Sequence, residues 1–150
     1  MNEKTLIFFK PNITMNGEVK TACNLFFSHI RIVDDYGLHQ MHIDFFKEFY
    51  NHVPEPDLTR HATFCSSGLI HIFVLEGEDV IERVRQLIGC AESSRASFNT
   101  LRGFFYQKYK PENGYDNFIH ASESKHAFVR EMMLFSIHLS APAQTINSIL

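Results

Sequence analysis

The chain has 150 residues and a formal charge of −3, with 45% hydrophobic and 21% charged side chains. A chain of that size buries roughly 68–70% of its unfolded surface in one core, so it needs neither disulfides nor a metal to fold. Its composition excludes disordered, collagen-like and coiled-coil classes, and 14 Lys and Arg against 17 Asp and Glu, with no basic run, argue against a dedicated nucleic-acid binder.

The opening residues, Met-Asn-Glu-Lys, include an acidic residue and no small-residue cleavage site follows, so a cytoplasmic location is expected. Thr5 to Phe9 is a short apolar run closed by Lys10-Pro11, and its β-branched and aromatic content predicts a buried first strand. From Gly17 the apolar residues Val19, Ala22, Cys23, Phe26, Phe27 and Ile30 recur at helical spacing. Ile30 to Met41 alternates unevenly and reads as a second strand, with His39 and His42 at its end. Asp44 to Tyr50 has helical spacing, and Pro54 and Pro56 must break it before a loop or short helix.

Leu69 to Leu75 is the clearest strand, ended by Glu76-Gly77, but it is far too short for the roughly 18–20 residues of a membrane span. Val80, Ile81, Val84, Leu87 and Ile88 repeat the helical stripe. Gly89 to Asn117 shows little periodicity and reads as a long irregular stretch, a kind of segment that is more often functional than idle. Phe118-Ile119-His120 is a brief apolar segment, and Ser122-Glu123-Ser124 can start a closing helix whose buried stripe is Phe128, Met132 and Phe135. The order predicts the split βαβ pattern of a ferredoxin-like α/β sandwich, α+β in class, with a four-stranded antiparallel sheet covered by helices. No repeat or linker divides residues 1–150, which read as one domain.

Fifteen Phe and no Trp point to an aromatic core. The cysteines, Cys23, Cys65 and Cys90, are widely spaced and odd in number, which suits reduced thiols; Cys65 and Cys90 read as buried or half-buried. His71 reads as a packed, hydrogen-bonded strand residue, and His39 and His42 lack an acidic or thiol partner at ligand spacing. His120 stands apart, because it follows an apolar pair and precedes a helix start, and a neutral imidazole is a nucleophile near pH 7.

The segments Thr5-Leu6-Ile7-Phe8-Phe9-Lys10-Pro11, Leu75-Glu76-Gly77, Thr100-Leu101-Arg102-Gly103 and Asn117-Phe118-Ile119-His120-Ala121-Ser122-Glu123-Ser124 resemble, in order and spacing, those of nucleoside diphosphate kinases. The last is the most specific, being similar to the family's Asn-x-x-His-Gly-Ser-Asp-Ser signature. The resemblance implies ping-pong transfer of a γ-phosphate from a nucleoside triphosphate such as ATP to a nucleoside diphosphate, through a phosphohistidine on His120. By the same resemblance Glu131 orients the imidazole and Ser122 holds Glu131. Lys10 reaches ribose hydroxyl and phosphates, Tyr50 lies near the transferred group, Arg85 and Arg102 contact phosphates, and Asn117 bonds the ribose. Mg²⁺ is implied as a cofactor bound through the nucleotide phosphates, and a homo-oligomer is implied, whether hexamer, tetramer or dimer; no nucleic acid or membrane partner is.

The chain departs from the family pattern at several positions. Asn12-Ile13 replaces Asp-Gly, Ala121 and Glu123 replace the signature glycine and aspartate, and Phe104 follows the Thr-Leu-Arg-Gly segment where the family usually has Asp. Ala91 falls where the family has a phosphate-contacting threonine, a hydroxyl donor worth about 0.5–1.5 kcal/mol. The base-stacking aromatic falls at Asp57 or Leu58, and the loop from Phe105 to Asn117 is longer than usual, with Tyr106 or Tyr109 as candidate replacement rings. These losses leave a second reading open, a non-catalytic nucleotide-binding or regulatory module of the same fold.

Overall fold

The computed structural model describes residues 2–139. Four strands, β1 (Asn2–Phe9), β2 (Arg31–His39), β3 (Ile70–Glu78) and β4 (Ile119–Ala121), form one antiparallel sheet in the order β2-β3-β1-β4. The first strand is longer than the predicted Thr5–Phe9, because Asn2, Glu3 and Lys4 continue the ladder opposite Glu78, Gly77 and Glu76. β3 separates β1 from β2, so this is the split βαβ arrangement expected from the element order.

Successive side chains of a strand point to opposite faces, and β1 is apolar on both. Ile7 and Phe9 enter one core cluster while Leu6 and Phe8 enter the other. The first cluster is roofed by α2 (Val19–Phe26), α5 (Val80–Ile88) and α6 (Leu101–Tyr109), through residues such as Ala22, Val84 and Phe105. The second is roofed by α3 (Ile43–Phe49), α4 (Asp57–Ser66) and α7 (Lys125–Leu139), through Phe46, Phe49, Ala62 and Phe135. Much of the phenylalanine count resides there: Phe45 and Phe135 stand 4.8 Å apart, and Phe8 meets Phe49 edge-on at 5.7 Å.

A short helix, α1 (Pro11–Thr14), follows β1 directly, its proline at the first helical position, where no amide donor is needed. The chain downstream of the two prolines forms α4. His42 caps α3, its Nδ1 accepting from the Asp44 amide, and His71 Nε2 lies 2.7 Å from Asp35 Oδ1. Cys65 is buried, but Cys90 is exposed, contrary to expectation.

The stretch 89–117 differs most from the reading above. It contains a 3₁₀ turn at Ser93–Arg95 and α6, so the irregular parts shrink to residues 89–92, 96–100 and 110–118. Thr100 caps α6 by accepting from the Gly103 amide, and Leu101 and Phe105, four apart, bury its inner face. A Cβ at Gly103 would collide with the Ser97 carbonyl, so only glycine lets α6 seat this closely. Among the described residues no helix is long and apolar enough to cross a membrane.

Candidate active site

A cleft of about 1150 Å³ opens at one end of the sheet. The end of α3, the following turn and α4 form one wall with Tyr50, Val53, Asp57, Arg60 and His61; α5 and residues 89–92 and 112–115 form the other. Lys10, Asn117 and His120 line it from the strand ends. Thus Lys10, Tyr50, Arg85, Arg102, Asn117, His120 and Glu131, chosen from sequence, all line one cleft, and Ser122 touches Glu131 behind it.

His120 pairs with Phe8 in the β1–β4 ladder. Its ring stacks on Phe8 at 5.0 Å and 18°, and Phe49 meets it edge-on at 4.9 Å. Nε2 lies 3.0 Å from Glu131 Oε2. The carboxylate thereby holds the Nε2 edge of the ring toward itself. Nδ1 faces the Tyr50 hydroxyl at 3.4 Å.

Ser122 Oγ donates to Glu131 Oε1 at 2.7 Å and accepts from the Leu6 amide, tying the carboxylate to β1. Burial alone would raise the Glu131 carboxyl, but His120, Ser122 and Arg130 together outweigh it and hold it below its ordinary value. Burial, with Cys65 and Glu131 nearby, pushes the Tyr50 hydroxyl well above its ordinary value, so it stays protonated as a donor. One residue before β4, Phe118 takes a left-handed φ of 77°, an uncommon conformation for a bulky side chain. Its carbonyl accepts the Lys10 amide at 2.8 Å.

Lys10 is 2% exposed, and its ammonium donates to Asn117 Oδ1 at 2.6 Å. Burial, with Arg102 and Arg60 adding to it, lowers this lysine to about 8 against a partial offset from Cys65 and Asp116. Asn117 Nδ2 donates to the Ala91 carbonyl, so the position that lacks a hydroxyl still contributes its backbone. Arg102 donates to three carbonyls, of Asn117, Gly89 and Ile119, and thereby binds the strand end to the opposite wall. A guanidinium has five N–H groups, so two remain for a ligand. Burial lowers Arg102 to about 10, still charged at neutral pH, and Arg85 stands exposed on the α5 wall. Gly89 has φ 87°, and a Cβ there would overlap the Thr100 side chain.

The candidate rings Tyr106 and Tyr109 are not in the cleft. Both pack against the core under α6, and the Tyr109 hydroxyl donates to Glu18 Oε2 at 2.7 Å. Tyr115, 47% exposed, lines the cleft instead. The sequence reading also missed Arg60 and His61. Arg60 Nη1 bridges to Asp116 Oδ1 at 3.1 Å across the mouth, and His61 Nε2 stands 3.3 Å from Lys10 Nζ. The only available signal was their place on the helical face after the prolines.

Residues 3–138 match the family model of nucleoside diphosphate kinase. The chain belongs to that family. Its relatives include the nucleoside diphosphate kinase of Thermoplasma acidophilum, 33% identical over 143 residues, covering 90% of this chain and 88% of that one. The Methanosphaera stadtmanae nucleoside diphosphate kinase is 34% identical over 139 residues, covering 90% and 86%. Among solved structures, the Aquifex aeolicus nucleoside diphosphate kinase superposes with a TM-score of 0.79 at 29% identity, covering 90% of this chain and 95% of that one. The Borrelia burgdorferi nucleoside-diphosphate kinase, a transition-state mimic with bound vanadate and ADP, gives 0.77 at 27% identity, covering 89% and 86%. These matches support nucleoside diphosphate kinase activity for this chain over the non-catalytic alternative.

Proposed function

We propose that the chain carries out its family's reaction by ping-pong phosphoryl transfer through a phosphohistidine on His120, within one domain spanning residues 1–150. The observation that supports this best is the division of labour between the two imidazole nitrogens. Nε2 lies against Glu131 and Nδ1 faces the cleft. With the ring proton on Nε2, the Nδ1 lone pair attacks the γ-phosphorus of a nucleoside triphosphate. The bond to the bridging oxygen breaks, and the nucleoside diphosphate leaves with that electron pair. Positive charge developing on the imidazole is met by the Glu131 carboxylate, which Ser122 keeps in place. A β-phosphate oxygen of a second diphosphate then attacks the phosphorus, the N–P bond breaks, and neutral His120 returns.

Phosphoryl transfer asks the protein mainly for position and charge. Arg85, the two free N–H groups of Arg102, and Lys10 would meet phosphate oxygens, Lys10 and Asn117 the ribose, and the Tyr50 hydroxyl the transferred group. Mg²⁺, usual for the family, supplies charge neutralisation when bound. The cleft's cations suit phosphate oxygens, while Glu131 is taken by Ser122 and His120, so the ion would ride on the nucleotide. The vanadate and ADP of the Borrelia burgdorferi relative, a phosphoryl stand-in beside a diphosphate, support the same chemistry here. Among the described residues β2 is an edge strand of the sheet, and Phe98 is 71% exposed; both support a homo-oligomer.

The test is incubation with ATP labelled on the γ-phosphate, with Mg²⁺ and no acceptor. Acid-labile label on the wild type, discharged by added diphosphate and absent from His120→Ala, is the expected result. Label on His120→Ala, or none on the wild type, would refute the mechanism.

A further inference from the structure

Lys10 and His61 are 51 residues apart in sequence, yet Lys10 Nζ and His61 Nε2 stand 3.3 Å apart. An ammonium has three donors and no acceptor, so this contact attracts only if Nε2 carries the lone pair and the His61 proton sits on Nδ1. Burial, with Lys10, Arg60, His120 and Arg102 nearby, pushes the imidazole down to about 2, which keeps it the neutral acceptor the contact requires. A protonated His61 would set a further cation among Lys10, Arg60 and Arg102.

The imidazole is also fixed in place. Its neighbour on α4, Ala62, and Cys65 one turn on are fully buried, so the backbone at 61 is anchored to the core. Tyr50 meets the ring edge-on at 4.4 Å and 89°, and Tyr50 is itself stacked on Phe46. The other acceptor on the Lys10 ammonium is Asn117 Oδ1 at 2.6 Å.

We propose that His61 is a positioning residue for Lys10: its Nε2 takes one ammonium N–H and Asn117 a second, which directs the third to the nucleotide. This rests on the reading that Lys10 meets nucleotide oxygens. Two acceptors on separate elements, α4 and the residue two before β4, remove the freedom of a four-carbon stem that a single contact would leave. The cost of ordering that long side chain is met before the ligand arrives.

His61→Leu keeps bulk and removes the acceptor; His61→Gln returns one near the Nε2 position. The Lys10 ammonium can be followed by NMR in lysine-labelled protein, and ADP affinity by calorimetry. The other titratable and charged groups around it are Cys65 and Arg60 on α4, Arg102 on α6 and Asp116 before β4, and none changes in these variants. His61→Leu is expected to move the Lys10 titration to lower pH, because the ammonium loses an acceptor, and to weaken ADP about tenfold, as for loss of a hydrogen bond to a charged group. His61→Gln should restore both toward wild type, which a role in packing alone would not produce. An unchanged titration and affinity in His61→Leu would overturn the proposal, as would a Gln variant no better than Leu. Both readouts need no turnover, so they stand apart from the labelling test: a wild type that takes no label would refute the phosphohistidine alone.

Discussion

Replacing Ser122 with Ala removes two hydrogen bonds at one atom, and their costs can be separated. Ser122 Oγ donates to Glu131 Oε1 at 2.7 Å and accepts from the buried Leu6 amide at 3.2 Å. The first is a bond to a charged acceptor, worth about 1.5–3 kcal/mol, and the second leaves a buried N–H unpaired at roughly 1 kcal/mol or more. The expected loss at neutral pH is therefore about 3 kcal/mol. Only the Glu131 part depends on pH. That carboxyl titrates below its ordinary value in the folded protein, so its stabilisation is present above the unfolded value and is lost as pH falls through the folded one. Without Ser122 the folded value rises, and the difference between variant and wild type must shrink in acid, leaving the Leu6 term. Urea unfolding of both proteins at about pH 7 and in steps down to about pH 3 reads this directly. A neutral-pH loss below about 1 kcal/mol, or one that does not shrink in acid, would refute the claim that Ser122 holds a charged Glu131.

Lys10 gives a slope of the same sign in an alkaline window. Its folded value is lowered from 10.5 to about 8, so between those limits the unfolded chain holds a proton the folded chain does not, and stability should rise with pH there. Over the same window ADP affinity should fall by up to about tenfold per pH unit as the ammonium is lost, and Lys10→Met, measured by calorimetry, should abolish that slope. Phe105→Ala empties a fully buried site beside Phe118 and should cost about 3–5 kcal/mol in chemical unfolding. Arg102→Lys keeps the charge but cannot reach three carbonyls on separate segments, so its thermal midpoint and phosphotransfer rate should fall together.

What could be read from the sequence follows the range of the interactions that make it. β1, β3 and α5 announce themselves because their apolar residues repeat at a single period set by neighbours in the chain. The segment from Asn117 to Ser124 is legible because the proposed nucleophile, the cap and the strand end lie within eight residues. α6 was not: Leu101, Phe104, Phe105, Tyr106 and Tyr109 blur its stripe, and Gly103 in its middle reads as a breaker until the Ser97 backbone is seen against it. Tyr106 and Tyr109 were misplaced for the same reason, since once α6 forms they turn to the core and leave Tyr115 facing the cleft. His61 and the Arg60–Asp116 bridge depend on α4 meeting segments 51 and 56 residues away, and no local pattern encodes such a meeting.

The floor beneath His120 is made of hydrocarbon: Phe8 lies flat against the ring and Phe49 abuts it at a right angle. Both phenylalanines are at most 1% exposed, so the imidazole cannot turn over without displacing the packed interior. Its two nitrogens are therefore held in separate places, Nε2 toward the carboxylate and Nδ1 toward the cleft. Under the proposed mechanism the choice of reacting atom is in this sense a property of the protein's interior, and softening that interior should misdirect the chemistry before it unfolds the chain.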